Sequence, residues 1–364
     1  VKFFQKYKNN TFLYVKELIN QKRKNRFFLF FLLIMAFFYR FVVFFRNLAY
    51  TLNLFKIKKV KAKIISIGNI DCGGVGKTPF VLFLANKLLS KYKIAIVSRG
   101  YKSRYENKFL YVDKNSNFSV LDIGDEPFLI KNRLKDISLF IGKEKLKSAK
   151  KASDLNYEIL LLDDGFQYRK LKKDLEIVIL NAKKPFFEND FLPRGYLRES
   201  PKNLKRADFI VVNNADNKDE TLEKEIKKYT NSPIIYTRVC PNNFLDLSKN
   251  VIRIKKSSKV AVFCAIANPD LFFKTVKEMD LNIVNTLYLL DHEDISLKKL
   301  DEFVKKSLEK KAKFVIITEK DAVKLNPNIK TNIPIIYLEI ILKVIANQNQ
   351  MESLVENIYK LVNN

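Results

Sequence analysis

The sequence is short of cysteine, of histidine and of acidic charge, and each shortage narrows what the chain can be. Its three cysteines, Cys72, Cys240 and Cys264, are odd in number, widely spaced and form no C-x-x-C pair. A disulfide framework and a zinc site are therefore not indicated, and a reducing, cytosolic environment fits. Only 39 acidic side chains stand against 67 basic ones, which leaves a net charge of +28. A surplus of this size predicts an anionic partner, namely acidic lipid, a phosphorylated substrate or nucleic acid. Lysine-rich composition supplies much of the excess without any function attached. The aromatic residues cluster in the apolar N-terminal region and do not interleave with basic ones, which speaks against a nucleic-acid groove. No internal repeat and no low-complexity linker is present. With 364 residues, 47% of them hydrophobic, the chain can bury a large core, and two domains are expected.

What is there is organised around Lys63 to Phe80, KIISIGNIDCGGVGKTPF. A short apolar run ends at Gly68-Asn69, a glycine turn follows, and helical spacing begins at Val81. Gly73, Gly74, Val75 and Gly76 precede Lys77 and Thr78. Such a turn aims successive backbone N–H groups at phosphate oxygens where no side chain blocks the approach. Lys77 then reaches the outer phosphates, and the Thr78 hydroxyl sits on a magnesium ion. The strict pattern asks for glycine at position 71, where this chain has Asp71, so Gly73 and Gly74 are expected to supply the backbone freedom.

Ahead of this loop, Phe27 to Phe45 is apolar but for Arg40, and a span needs about 20 residues. Arg40 would cost about 2.5–3.5 kcal/mol at the bilayer centre. Lys22, Arg23, Lys24 and Arg26 precede the run, and Arg46, Lys56, Lys58, Lys59, Lys61 and Lys63 follow it. Two positive flanks favour an in-plane helix or a hairpin over a crossing, with a helix buried against the main domain as the plainer alternative. No small-residue cleavage site follows, so a signal peptide is not expected.

Further along, Lys93 to Ser98 reads as a buried strand ending in Arg99-Gly100-Tyr101. Gly124-Asp125-Glu126-Pro127 opens a helical stretch with two adjacent carboxylates, suited to dipole compensation or, opposite a nucleotide, to a base and a metal contact. Tyr157 to Asp164, YEILLLDD, has the form of a Walker B strand with Asp163 and Asp164 at its carboxyl end. Leu175 to Leu180 and Phe209 to Val212 add strands, and Leu192 to Glu199 is a loop with cations able to meet phosphate.

The ordered set GNIDCGGVGKTP, SRGY, GDEP, DDGFQY, LPRGYLRES and TEKDAVKL resembles the tetraacyldisaccharide 4'-kinase family, the lipid A kinases, over roughly Arg46 to Lys324. The resemblance implies transfer of the ATP γ-phosphate to the 4'-hydroxyl of a tetraacyldisaccharide 1-phosphate at the cytoplasmic face of the inner membrane. It implies Asp125 as general base, Glu126 as its acidic neighbour, and His292, the sole histidine, as the partner of that base. It further implies Lys77 and Thr78 as the phosphate-loop pair, Asp163 and Asp164 as magnesium-side carboxylates, and Arg198 and Glu199 near the transferred phosphate. ATP and Mg2+ are the implied cofactors, a lipid disaccharide monophosphate and an anionic membrane surface the partners. Neither nucleic acid nor an obligate protein partner is expected. The chain departs from the family pattern in Tyr168 for histidine, in alanines at Ala265 and Ala267 for glycines, and in Arg194 and Tyr196.

The expected architecture is α/β, a P-loop NTPase-like, mostly parallel sheet with helices on both faces, a smaller second α/β domain and an N-terminal membrane-associated helix. The boundaries read as 1–62 for the basic, Phe-rich region and 63–232 for the kinase domain. A linker strand over 233–242, a second domain over 243–348 and a helix over 349–364 complete the chain. A rival reading is a membrane-tethered P-loop NTPase switch for protein partners. A guanine-specific switch would carry N-K-x-D, and Asn213-Asn214-Ala215-Asp216 lacks the lysine.

Overall fold

A computed structural model describes residues 14–15, 18–19, 25–266, 269–290, 293 and 295–363. His292, Ala267 and Asn268 lie outside the described residues.

Helix α1 (Arg26–Thr51) starts where the Asn25 side chain accepts the Phe28 N–H at 3.0 Å, the N-cap bond that satisfies a first-turn donor. It runs two turns beyond the apolar stretch. Leu32, Ala36, Val43 and Asn47 are buried along one stripe, while Phe30, Phe31, Phe37, Phe38, Phe41 and Phe44 are exposed. Among the described residues it is the one helix long and apolar enough to cross a membrane.

The sheet begins with β1 (Lys63–Gly68), whose side chains are buried on both faces from Ile64 onward, as a central parallel strand requires. Helix α2 (Lys77–Leu88) covers it with Phe80, Val81, Leu84, Ala85 and Leu88, each large side chain contributing about 1.5–3 kcal/mol of burial. Then come β2 (Ile94–Ser98), the short β3 (Leu110–Val112) and α3 (Val120–Ile123), α4 (Asp125–Arg133), β4 (Ser138–Ile141), α5 (Lys145–Asp154) and β5 (Ile159–Asp163). Strands β6 (Leu175–Asn181) and β7 (Phe209–Asn213) and helix α6 (Glu220–Lys227) follow. The last third holds β8 (Ile234–Asp246), β9 (Val251–Ile252), β10 (Lys259–Cys264), α7 (Pro269–Glu278), β11 (Asn282–Tyr288) and α8 (Leu297–Glu309). It closes with β12 (Phe314–Thr318), α9 (Glu319–Ala322), β13 (Ile335–Ala346) and α10 (Gln348–Asn363).

All strands join one sheet in the order β11-β10-β12-β13-β8-β7-β6-β1-β5-β2-β4-β3, with β9 paired to β8. Strands β8, β7, β6, β1, β5, β2 and β4 are parallel, and β3 is antiparallel to β4. On the other side β13, β12, β10 and β11 form a second parallel block, and β13 pairs antiparallel with β8. Strand β8 leaves the first block beyond the carboxyl end of β7, and β13 leaves the second block beyond the carboxyl end of β12. The loop-bearing ends of the two blocks therefore face one another, the side of an α/β sheet where ligands bind.

Both connecting strands exceed their apolar runs. The middle of β8, Arg238 to Asn243, is largely exposed and carries no alternation, so only its pairing with β13 makes it a strand.

Candidate active site

The phosphate loop leaves β1 at Gly68, where a Cβ would lie 2.6 Å from the Phe166 Cβ. Asp71 and Cys72 are paired with the 196–197 segment, Cys72 N–H donating to Tyr196 O at 2.7 Å, so position 71 has no need of glycine. Positive φ falls instead at Gly73 (149°), as expected for that residue, and at Gly76 (89°). Gly76 is the N-cap of α2, and a Cβ there would collide with the Asn213 amide. Asn213, at the end of β7, donates to Val75 O at 2.8 Å and accepts from the Thr237 hydroxyl at 3.0 Å, so its job is to hold the loop. Thr78 stands half-buried in the first turn of α2.

Lys77 lies 3.4 Å from Asp164 Oδ1 and donates to Asn69 Oδ1 at 3.1 Å. Arg198 grips Asp164 with both terminal nitrogens, at 2.8 and 2.9 Å, and reaches Asn69 Oδ1 at 3.2 Å. Burial would raise the Asp164 carboxyl, but Lys77 and Arg198 hold it well below the usual carboxylate range. Asp163 accepts from the Ser98 hydroxyl at 2.9 Å; burial, then the charge of Glu126, pushes it up to about 6. Lys145, wholly buried at the start of α5, donates to the carbonyls of Asp163 and Asp164 at 2.5 and 2.7 Å. Desolvation lowers its ammonium to about 8.

Helix α4 is set against this cluster by close backbone contact: a Cβ on Gly124, at φ 89°, would meet Tyr101 O at 3.1 Å. Its first turn carries Asp125 and Glu126. Lys324 lies 3.3 Å from Asp125 Oδ2, and Lys320 lies 3.6 Å from Glu126 Oε1. At the other end of α4, Arg133 binds both Glu319 oxygens, Glu339 at 2.7 Å and Ile340 O at 2.7 Å. The TEKDAVKL segment thus grips α4 at both ends. Thr318 is an N-cap, accepting the Asp321 N–H at 3.1 Å.

Glu199 follows Arg198 but stands in another environment, wholly buried beside Arg46 and Asn47 of α1. The Tyr168 hydroxyl accepts the Leu146 N–H at 3.1 Å.

Lys77 and Arg198 therefore both meet Asp164, Asp163 feels the charge of Glu126, and Asp125 and Glu126 meet lysines of the second block. Sequence reading had missed Asn69, Lys145, Asn213, Lys320 and Lys324. Lys320 and Lys324 lie inside a quoted motif but carry no signal of their partner.

The donor set suits a hard cation. Mg2+ takes one or two carboxylates together with phosphate oxygens and water, and the Thr78 hydroxyl, Asp163 and Glu126 are oxygen donors of that kind. The two like charges that lift Asp163 are the electrostatics a divalent ion would relieve. Both Asp164 oxygens are meanwhile bonded to Arg198. Among the described residues no group of three or more His, Cys, Asp or Glu forms a site by itself.

A sequence model of the family described as tetraacyldisaccharide-1-P 4'-kinase matches residues 28–360. A tetraacyldisaccharide 4'-kinase of Halothermothrix orenii is 35% identical over 319 residues, which cover 82% of this chain and 83% of that one. Another, of Chlamydia caviae, is 38% identical over 273 residues, 73% of each chain. Among solved structures, the chain is similar to an "apo" form of LpxK from Aquifex aeolicus in complex with ATP. The identity is 28% and the TM-score 0.72, over 91% of this chain and 98% of that one.

Proposed function

The chain belongs to the tetraacyldisaccharide-1-P 4'-kinase family, and from that premise we propose how its site transfers the γ-phosphate of ATP to the 4'-hydroxyl of a tetraacyldisaccharide 1-phosphate. The observation that carries the reading is the contact of Lys77, Asp164 and Arg198 at the mouth of a glycine loop that opens a helix.

In this reading Gly73 to Thr78 hold the phosphates, and Lys77 and Arg198 meet the charge that grows on the transferred group. Asp125 accepts the proton of the 4'-hydroxyl as its oxygen bonds to the γ-phosphorus, while the bond to the β-phosphate oxygen breaks and ADP departs. His292 orients Asp125 and shares the proton. Thr78, Asp163, Glu126 and, once Arg198 shifts toward phosphate, Asp164 are the residues that would hold Mg2+, which when bound neutralises charge on the β- and γ-phosphates. Residues 243–348 act as the second domain and close over the nucleotide about the β8–β13 ribbon, bringing in His292.

Helix α1 lies at the cytoplasmic face of the inner membrane as a dipping anchor. Its Tyr39 hydroxyl already bonds to Arg198 O at 3.1 Å. Residues 26–38, ahead of that contact, rise only roughly 20 Å, less than the hydrocarbon thickness of about 30 Å. Exposed phenylalanines beside basic flanks suit the headgroup boundary, from which the lipid substrate is drawn.

The test is incubation with γ-labelled ATP and tetraacyldisaccharide 1-phosphate in mixed micelles. Label in the lipid, lost in Lys77→Ala, is expected; ATP hydrolysis without lipid labelling would favour the tethered switch.

A further inference from the structure

Glu199 has no exposed surface, and its two carboxylate oxygens are already engaged by four side chains. Oε1 accepts from Arg46 Nη2 at 2.8 Å. Oε2 accepts from Arg206 Nη2 at 2.7 Å, Asn203 Nδ2 at 2.8 Å and Asn47 Nδ2 at 3.3 Å. Two of these donors belong to α1 and two to the turn just after Glu199. A carboxylate so enclosed has little left to offer a substrate, and its neighbour in the chain is the guanidinium that holds Asp164.

The same helix grips the Arg198-Glu199 pair at a second point, because Tyr39 donates to Arg198 O. On the far side, the N–H groups of Arg198 and Glu199 both donate to Ile70 O, at 2.8 and 3.2 Å, within the approach to the phosphate loop. Arg169 fixes α1 in turn, donating to Asn47 O at 2.8 Å, with its guanidinium 5.2 Å from the Tyr50 ring centroid. The Arg198 backbone is thus held between the loop that cradles phosphate and the helix that meets the membrane.

We propose that Glu199 is a positioning residue through which Arg46 and Asn47 of α1 set Arg198 in place, so that α1 is part of the catalytic apparatus as well as the membrane anchor. Removing Arg46 strips Oε1 of its cation and leaves Arg206 alone to balance a fully buried charge, and neutralising Glu199 leaves the largely buried Arg206 without its anion, so in either case the turn that carries Arg198 must readjust. A displacement of about 1 Å at a charge-stabilising group costs up to roughly 100-fold in rate.

The inference rests on the 4'-kinase reading, and one assay separates the two. Phosphate transfer is measured for the full chain with two acceptors, tetraacyldisaccharide 1-phosphate in mixed micelles and a short-acyl, water-soluble analogue. Arg46→Met and Glu199→Gln are each expected to lower kcat by about 10- to 100-fold on both acceptors, with the KM for ATP unchanged. The double variant should be no slower than the slower single one, because both act through one link. Tyr39→Phe, which removes a single hydroxyl and keeps the fold, should lower kcat by about 2- to 10-fold on both. It serves if the other variants do not fold. Wild-type kcat of Tyr39→Phe, or of folded Arg46→Met, on the soluble acceptor with loss confined to micelles would leave α1 an anchor alone and overturn the proposal. Absence of transfer by the unaltered protein would remove the kinase reading, and the inference with it.

Discussion

Arg198 meets Asp164 through two parallel N–H···O bonds, a geometry that lysine cannot reproduce. Arg198→Lys keeps the charge and loses the planar fork that holds Asp164 here and would face phosphate in the loaded site, and steady-state kinetics should show kcat down by about 10²-fold; an unchanged kcat would make the fork dispensable. Asp125→Ala should lower turnover by about 10²- to 10⁴-fold while ATP still binds, as titration calorimetry would register. Full turnover would remove Asp125 from the mechanism. The thiols separate by environment. Burial, with the charge of Asp321 adding to it, pushes Cys264 up to about 12, and burial lifts Cys72 against the pull of Arg198 and Lys77. A raised thiol stays protonated until the pH passes its new value, so at pH 8 Cys264 carries almost no thiolate. An alkylating reagent should label Cys240 first and reach Cys264 only on unfolding, which mass spectrometry would follow. At this scale the phosphate loop and the paired aspartates were legible, because each is a contiguous stretch. Asn213 and Lys145 were not: each acts on a backbone far away in sequence, and neither residue type signals that partner.

Helix α4 carries the proposed base at one end and Arg133 at the other, and its seating depends on residues nearly two hundred positions away. Arg133 is 24% exposed and Glu319 10%, so the cluster is largely desolvated. Arg133→Gln leaves Glu319 and Glu339 facing each other, and the loss of stability in urea unfolding should be about 2–3 kcal/mol near neutral pH, reduced from the fully buried case by partial solvation. Burial already raises the Glu319 carboxyl, and Arg133 is the main influence lowering it. Without Arg133 its folded-state value climbs further above the unfolded one. The variant's deficit should therefore shrink as pH falls from neutral, because Glu319 takes up its proton above the ordinary carboxylate range and the repulsion is then lost. A pH-independent deficit would contradict this. Helix and strand cores were legible from their spacing, whereas the far ends of α1, β8 and β13 were hidden. Polar residues such as Arg46 and Asn47 end α1, Arg238 to Asn243 interrupt β8, and Glu339 and Lys343 interrupt β13, so the structure there comes from partners rather than from a local pattern.

Across the whole molecule, two parallel blocks turn their loop-bearing ends toward each other about β8 and β13, and α1 joins the same edge through Glu199. In the proposed reading, the net charge of +28 and the exposed phenylalanines of α1 act together at an acidic surface. Sedimentation with anionic vesicles should weaken as salt rises from about 0.1 M to about 1 M, where the Debye length falls from roughly 10 to 3 Å. Serine at Phe30, Phe37 and Phe41 should reduce binding at both salts. Equal binding to neutral vesicles at all salts would show that the charge plays no part. The alternation of strands and helices made the α/β class legible. The facing of the two blocks was not, because it follows from a pairing between strands about a hundred residues apart.

The most direct test of the central claim is the position of the transferred phosphate, read by phosphorus and proton NMR of the product formed from ATP and tetraacyldisaccharide 1-phosphate. A new phosphomonoester coupled to the proton on the 4' carbon is the predicted result. Inorganic phosphate with unmodified lipid, or a phosphate at another hydroxyl, would contradict the account.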